Sequence, residues 1–309
     1  MTARMSSGEG VLNRLPEGTR ILILRLRSLG DCVLTTPALA ILRRARPDAR
    51  IGVVVERRFR DVFENHPDVD DLLEPQALSV RRWRAGLCLN LHGGTRSLLL
   101  ALASGAAIRV GFGHFRAARV YHVRIRRAQE ILGVDRKVHT AEHLASAMFE
   151  LGAPKQEIPP ARLAVTTAAA ARPYAVIHPL ASTPEKTWPA GSFLEAARRL
   201  ESQRDLEPVF LGAAGEDLTP YGEFRRVQAT LAEAMRLIAG AALFLGNDSG
   251  PAHVAAACRV PLVVLFGASD AAIWGPWKAA AEVLSSPRGI AAITAGEALA
   301  ALARLRVPV

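Results

Sequence analysis

The 309 residues are half apolar and 22% charged, with 6% aromatics and a formal net charge of +10. That length suits two domains of roughly 150 residues each, and the balance excludes a disordered chain. Cys32, Cys88 and Cys258 stand far apart, which excludes a disulfide framework or a CxxC zinc site and leaves reduced core thiols, and no run reaches the ~18 apolar residues of a membrane span.

The opening MTARMSSGEGVLNRLPEGTR lacks the apolar segment of a secretory signal, so a cytosolic protein is expected. ILILRL predicts a strand, followed by a helix over about 36–46, then the strand IGVVVE, a short helix, and the strands DDLLE and LCLNLHG. A helix around 96–104 and a helical stretch over about 138–151 complete a first α/β unit, 1–155. Prolines and a lapse of pattern mark a linker over 156–172. The second unit, 173–309, runs through YAVIHPL, the helix of SFLEAARRLESQ, EPVFLGA, a helix near 231–238, ALFLGND, the helix of PAHVAAAC and PLVVLFG. Alternating strands and helices predict two Rossmann-like halves with parallel sheets. The final AGEALAALARL is apolar on one face and suggests a helix able to pack back across the lobes.

Charge is uneven: residues 1–150 hold 24 Lys and Arg against 15 acids, and 151–309 hold 15 against 14. A basic, Arg-dominated first half points to an acidic partner, such as an anionic lipid or glycan, a membrane surface or nucleic acid; an Arg-rich solvated surface is the bland alternative.

Neither half has GxGxxG after its first strand, which argues against a dinucleotide-dependent dehydrogenase, and GxxxxGK[ST] is absent. LFLGNDSGPAHVAAA carries more. A strand ends, a turn follows, and Pro251 occupies a first helical position, so the free amides of Ser249, Gly250 and Ala252 point out of the carboxyl end of a sheet, with His253 close by. In ASTPEKTWP, Ser182, Thr183 and Lys186 follow another strand end, and a point charge there stabilises a leaving diphosphate. Read as structure alone, these are an Asp/Ser cap, a core histidine and a solvated lysine.

Taken together and in order, ILILRLRSLGDCVLTTPAL, KTWP, GNDSGPAHVAAA and LFGASDAAIWGPW resemble glycosyltransferase family 9, the ADP-heptose:lipopolysaccharide heptosyltransferases and their relatives. The resemblance implies the α/β GT-B fold, two Rossmann-like domains whose parallel sheets face across a cleft, with acceptor on the first and nucleotide sugar on the second. It implies inverting, metal-independent transfer with no cofactor, the ADP-sugar being substrate. By position, Asp31 matches the catalytic acid of SxxGD, the proposed general base; Lys186 and Ser182 match donor-diphosphate contacts. Asp248 matches an acid near the donor sugar, Ser249, Gly250 and His253 a phosphate-binding turn, and Glu216 a carboxylate on the ribose. Arg81 resembles an acceptor-side basic residue, with Arg116 and Arg119 assisting on grounds of composition. Ala271 replaces the family's proline after Ser269 and Asp270, which predicts a less rigid turn, and the chain is somewhat short for the family.

A carboxylate at a helix N-terminus suits a cap, because the peptide dipoles favour its charge. Asp31 is expected to be both cap and base, taking the proton late as an oxocarbenium-like carbon draws on the acceptor oxygen. Asp68 and Asp70 in PDVDDLL look like the metal-binding DxD of the other large glycosyltransferase fold, but the match is short and in the acceptor half, so no metal is expected. The leading expectation is a cytosolic protein, peripheral on the inner membrane face, moving a heptose from an ADP-sugar to a hydroxyl of an acidic glycolipid. A sugar-nucleotide epimerase of the same fold and a basic nucleic-acid-binding protein are the alternatives, the latter opposed by sparse aromatics.

Overall fold

A computed structural model describes residues 10–115, 117–167 and 172–305. The chain divides into two compact units, Met1–Pro159 and Pro160–Val309.

In the first unit, α1 (Val11–Arg14) precedes β1 (Arg20–Leu24), α2 (Leu29–Ala45), β2 (Arg50–Val54), β3 (Asp71–Leu73), α3 (Ala77–Arg82) and β4 (Leu87–Asn90). Next come α4 (Thr95–Ala103), β5 (Ile108–Phe112), β6 (Val123–Ile125), α5 (Ala128–Leu132) and α6 (Thr140–Glu150). The six strands are parallel, in the order β3-β2-β1-β4-β5-β6, with Ile21 of β1 opposite both Ile51 and Leu87. Strands covered on both faces read as unbroken apolar runs, and Ile21 to Leu24 are wholly buried.

The helix predicted from about residue 36 begins at Leu29, because its signals are polar ones. The Asp31 carboxylate accepts the Ser28 N–H at 3.3 Å and the Ser28 hydroxyl at 3.1 Å, the acidic half of a capping box. Pro37 lies inside α2 and has no N–H for the Val33 carbonyl; the Thr36 hydroxyl donates to that carbonyl instead, at 2.8 Å. TTPAL therefore continues a helix.

The second unit contains β7 (Tyr174–His178), α7 (Ala190–Arg204), β8 (Glu207–Ala213), β9 (Arg225–Ala229), α8 (Leu231–Ala239) and β10 (Leu243–Asn247). It continues through α9 (Gly250–Ala257), β11 (Leu262–Phe266), α10 (Ala271–Trp274), β12 (Ala281–Ser285) and α11 (Ala295–Arg304). Its six parallel strands follow the same plan, β12-β11-β10-β7-β8-β9. The last helix departs from expectation. Ala298, Ala301 and Leu302 of α11 are wholly buried in the second unit's own core with Phe193, Leu200 and Leu265, so its apolar face is spent there.

Each sheet reverses its strand order once, between β1 and β4 and between β7 and β10. In a doubly wound sheet the carboxyl ends flanking that reversal are where ligands bind. Asp31 follows β1, and the Ser182–Lys186 and Asp248–Ser249 segments follow β7 and β10.

Candidate functional site

At the switch point of the first sheet, Asp31 occupies the third position of α2, its side chain about a quarter exposed. Arg25 leaves the end of β1 almost fully buried and places Nη1 3.7 Å from Asp31 Oδ1. Its Nη2 donates to the Leu91 carbonyl beyond β4, so the guanidinium joins the two strand ends. Burial lowers the Arg25 pKa, and the Asp31 charge opposes that shift. His92 lies in the same field: burial lowers its pKa, as does the charge of Arg25.

A buried asparagine shapes each switch point. Asn90, ending β4, donates to Tyr121 Oη at 2.7 Å and Ser97 Oγ at 3.0 Å, and accepts the His92 N–H at 3.0 Å. Asn247, ending β10, accepts the Trp188 N–H at 3.0 Å and donates to the Pro179 carbonyl at 2.8 Å, clamping both ends of the turn after β7. Gly267 lets β11 approach that turn, since a Cβ there would strike the Glu185 carbonyl oxygen.

The clamp brings Lys186 to Asp248. Lys186 Nζ donates to Asp248 Oδ2 at 3.2 Å, and Ser269 Oγ donates to the same oxygen at 2.5 Å. Ser249 Oγ lies 3.2 Å from Nδ1 of His178, whose pKa burial lowers to about 4, and makes no side-chain cap on α9. A routine Asp/Ser cap is thus not what these side chains form. The amides of Ser249 and Gly250 have no hydrogen-bond acceptor among the described residues. Ala252 corrects the expectation: its N–H donates to the Ser249 carbonyl at 3.2 Å, which narrows the open amides to two. Pro251 is the second helical residue, not the first, and His253, in the same first turn, is mostly buried.

Glu216, just past β8, accepts the Ala213 N–H at 2.6 Å through Oε2. Ser182 and Thr183 are exposed at the start of the clamped turn. The turn lacking the family's proline is secured: Asp270 caps α10 by accepting the Ala272 N–H at 2.9 Å, while Ser269 holds Asp248.

Among the described residues Asp31 pairs with Arg25 and with none of the expected acceptor residues. Arg81 is exposed on α3 with its guanidinium against Gly105, Arg119 is exposed in the turn between β5 and β6, and Arg116 lies outside the described residues. Of the DVD acids, Asp70 is engaged within the fold. Asp70 accepts from Arg43 Nη2 at 2.6 Å and from the Ile51 N–H at 2.7 Å. Burial pushes Cys32 and Cys88 up to about 12, as expected of inert core thiols. Arg25, His92 and His178 escaped sequence reading. The available signal was an arginine or histidine at the end of an otherwise apolar strand.

The model of glycosyltransferase family 9 (heptosyltransferase) matches residues 77–295, more than half of the chain. Lipopolysaccharide heptosyltransferase 3 of Escherichia coli is 25% identical over 291 residues, covering 82% of this chain and 84% of that protein. The fold is that of a family 9 glycosyltransferase from Veillonella parvula, with TM-score 0.83, 23% identity and coverage of 97% and 99% of the two chains. It is also that of E. coli heptosyltransferase WaaC solved with ADP, with TM-score 0.79, 19% identity and coverage of 92% and 99%. Two Rossmann-like units with the GT-B pattern of heptosyltransferases, and a family match that spans the second half of the first unit and most of the second, lead to one conclusion: this chain is a glycosyltransferase and belongs to family 9, the heptosyltransferase family.

Proposed function

We propose that the enzyme moves a heptose from an ADP-sugar to a hydroxyl of the lipopolysaccharide inner core or a similar acidic glycolipid, with inversion and without a metal or other cofactor. The second unit holds the donor. Lys186 neutralises the diphosphate as charge builds on the leaving group, and the open amides of Ser249 and Gly250 bind its oxygens. Asp248, oriented by Lys186 and Ser269, faces the donor sugar; Ser182, Thr183 and His253 complete the phosphate side, and Glu216 takes a ribose hydroxyl through the oxygen not bound to Ala213. The first unit holds the acceptor, its acidic groups met by Arg81, Arg116 and Arg119. Asp31 accepts the proton of the attacking hydroxyl, and the buried Arg25 beside it keeps the carboxylate oriented. The protein works at the cytoplasmic face of the inner membrane as a peripheral protein, drawn there by its basic half.

The observation that carries this reading is the Lys186–Asp248–Ser269 constellation beside two unengaged amides at a switch point, an arrangement suited to a sugar diphosphate. The names of its relatives, lipopolysaccharide heptosyltransferase 3 and a heptosyltransferase solved with ADP, support the sugar, the nucleotide and the acceptor class.

The test is turnover of ADP-heptose with truncated core glycolipids, with UDP-, GDP- and dTDP-sugars as comparators. Acceptor-dependent release of ADP is expected. Nucleotide release without acceptor, or equal use of UDP-sugars, would overturn the reading, the first outcome favouring an epimerase.

A further inference from the structure

Five large apolar side chains are exposed among the described residues, and three of them, Leu78, Leu99 and Leu102, belong to α3 and α4. These helices cover one face of the first sheet. Val80, Leu100 and Ala101 turn inward onto Leu22, Leu24 and Cys88, so packing against the sheet is already satisfied. The outer leucines are 58%, 59% and 43% exposed. Leu99 and Leu102 share a helical stripe, as do Leu78, Arg81 and Arg82. The Arg81 guanidinium lies over Gly105, which links the outer side of α3 to the end of α4.

The charge of this region is equally unusual. From Pro75 to Gln129 the sequence has ten arginines and no lysine, aspartate or glutamate, so this stretch alone carries +10, the net charge of the entire chain. Arg96 and Arg126 are committed to Glu56 and Glu150. Arg81, Arg82 and Arg84 are exposed and form no ion pair among the described residues. A merely solvated helix face would carry acids among its bases and few leucines.

We propose that the outer face of α3 and α4 is the surface by which the protein docks on an anionic lipid bilayer. Leu78, Leu99 and Leu102 enter the boundary between headgroups and acyl chains, while Arg82 and Arg84 lay their stems on the same plane and reach lipid phosphates. The proposal rests on the peripheral-membrane part of the function above and names the surface responsible. Charge complementarity selects this occupant. A second copy of the chain would set these arginines against their own equivalents with no acid to receive them. A nucleic acid would find leucines where stacking aromatics are needed.

The experiment is co-sedimentation with phosphatidylcholine vesicles, with and without about one part in three of phosphatidylglycerol. The wild type should bind the anionic vesicles, less so as salt rises, and leave the neutral ones in solution. Leu99→Ser with Leu102→Ser, and separately Arg82→Gln with Arg84→Gln, should each lower partitioning about tenfold or more. Turnover on a lipid-free acceptor should be unchanged, which also reports that these surface variants fold. In Leu99→Trp the indole emission should shift to the blue with anionic vesicles only. Absence of wild-type binding would overturn the proposal together with the membrane reading. Equal binding by wild type and both double variants would overturn this surface alone. Dimerisation lost in the leucine variant would assign the face to self-association and overturn the proposal as well.

Discussion

Arg25 places Nη1 3.7 Å from Oδ1 of Asp31 while its other terminal nitrogen donates to the Leu91 carbonyl, so the carboxylate at the head of α2 is flanked by a cation fixed to the neighbouring strand end. One buried side chain thereby sets the position of the proposed base relative to both strands of the switch point. With Asp31 as the proposed base, Arg25 is proposed to act through it as a positioning residue.

Replacing Arg25 by methionine keeps much of the apolar stem and removes both the charge and the donor to Leu91. Turnover should fall about tenfold to a hundredfold with the donor KM little changed, because the proposed donor site is in the second unit. Arg25→Lys should recover part of the loss, since one ammonium replaces the charge but cannot serve both the Asp31 carboxylate and the Leu91 carbonyl as the two guanidinium nitrogens do. A purely structural role would lower the melting temperature while leaving kcat per folded molecule intact.

Lys186, Ser269 and Asp248 meet at a single carboxylate oxygen, at 3.2 and 2.5 Å. Lys186→Ala should cost about a hundredfold or more in kcat through loss of charge opposite the leaving diphosphate. Ser269→Ala should weaken donor binding several-fold, about 1 kcal/mol for a hydrogen bond to a charged group that keeps a second donor. The double variant Lys186→Ala with Asp248→Asn should be non-additive, with a coupling of about 0.5–3 kcal/mol; additive losses would separate the two residues.

Much of this was legible beforehand. The central strands were, because burial on both faces forces unbroken runs such as ILIL and LVVLF. Among the edge strands DLL of β3 was, but the two of the second sheet were not: RRVQA of β9 and AEVLS of β12 are mostly exposed or half-exposed, so no apolar pattern is imposed on them. Short motifs with fixed turn chemistry, SLGD and GNDSGP, announced Asp31 and Ser249. Arg25, His178 and Asn247 went unread because their roles depend on partners distant in sequence: Leu91, Ser249, and Pro179 with Trp188.

Stability should fall on mild acidification. Burial lowers His178 and His143 from an ordinary value of 6.5 to about 4. The unfolded chain therefore takes up protons first, and the contribution of the neutral imidazoles, complete above the ordinary histidine value, is lost as pH falls through that window. For His178 the loss is of order 3 kcal/mol by the bottom of the window. Urea midpoints measured between about pH 7 and about pH 5 should decline, and His178→Asn should flatten the decline.

Asp70 is occupied by Arg43 and the Ile51 amide, and among the described residues no group of three or more His, Cys, Asp or Glu is arranged to hold a metal ion. Transfer should proceed at an unchanged rate in excess EDTA. A rate abolished by EDTA and restored by a divalent cation would place a metal in the reaction.

The account depends most on Asp31 as the base, and the direct measurement is single-turnover transfer from ADP-heptose by Asp31→Asn, with ADP-sugar affinity measured on the same sample. Asparagine still accepts the Ser28 N–H, so α2 should persist, donor affinity should stay within about twofold, and the transfer rate should fall by about 10²–10⁴. A rate near that of the wild type would contradict the assignment of Asp31.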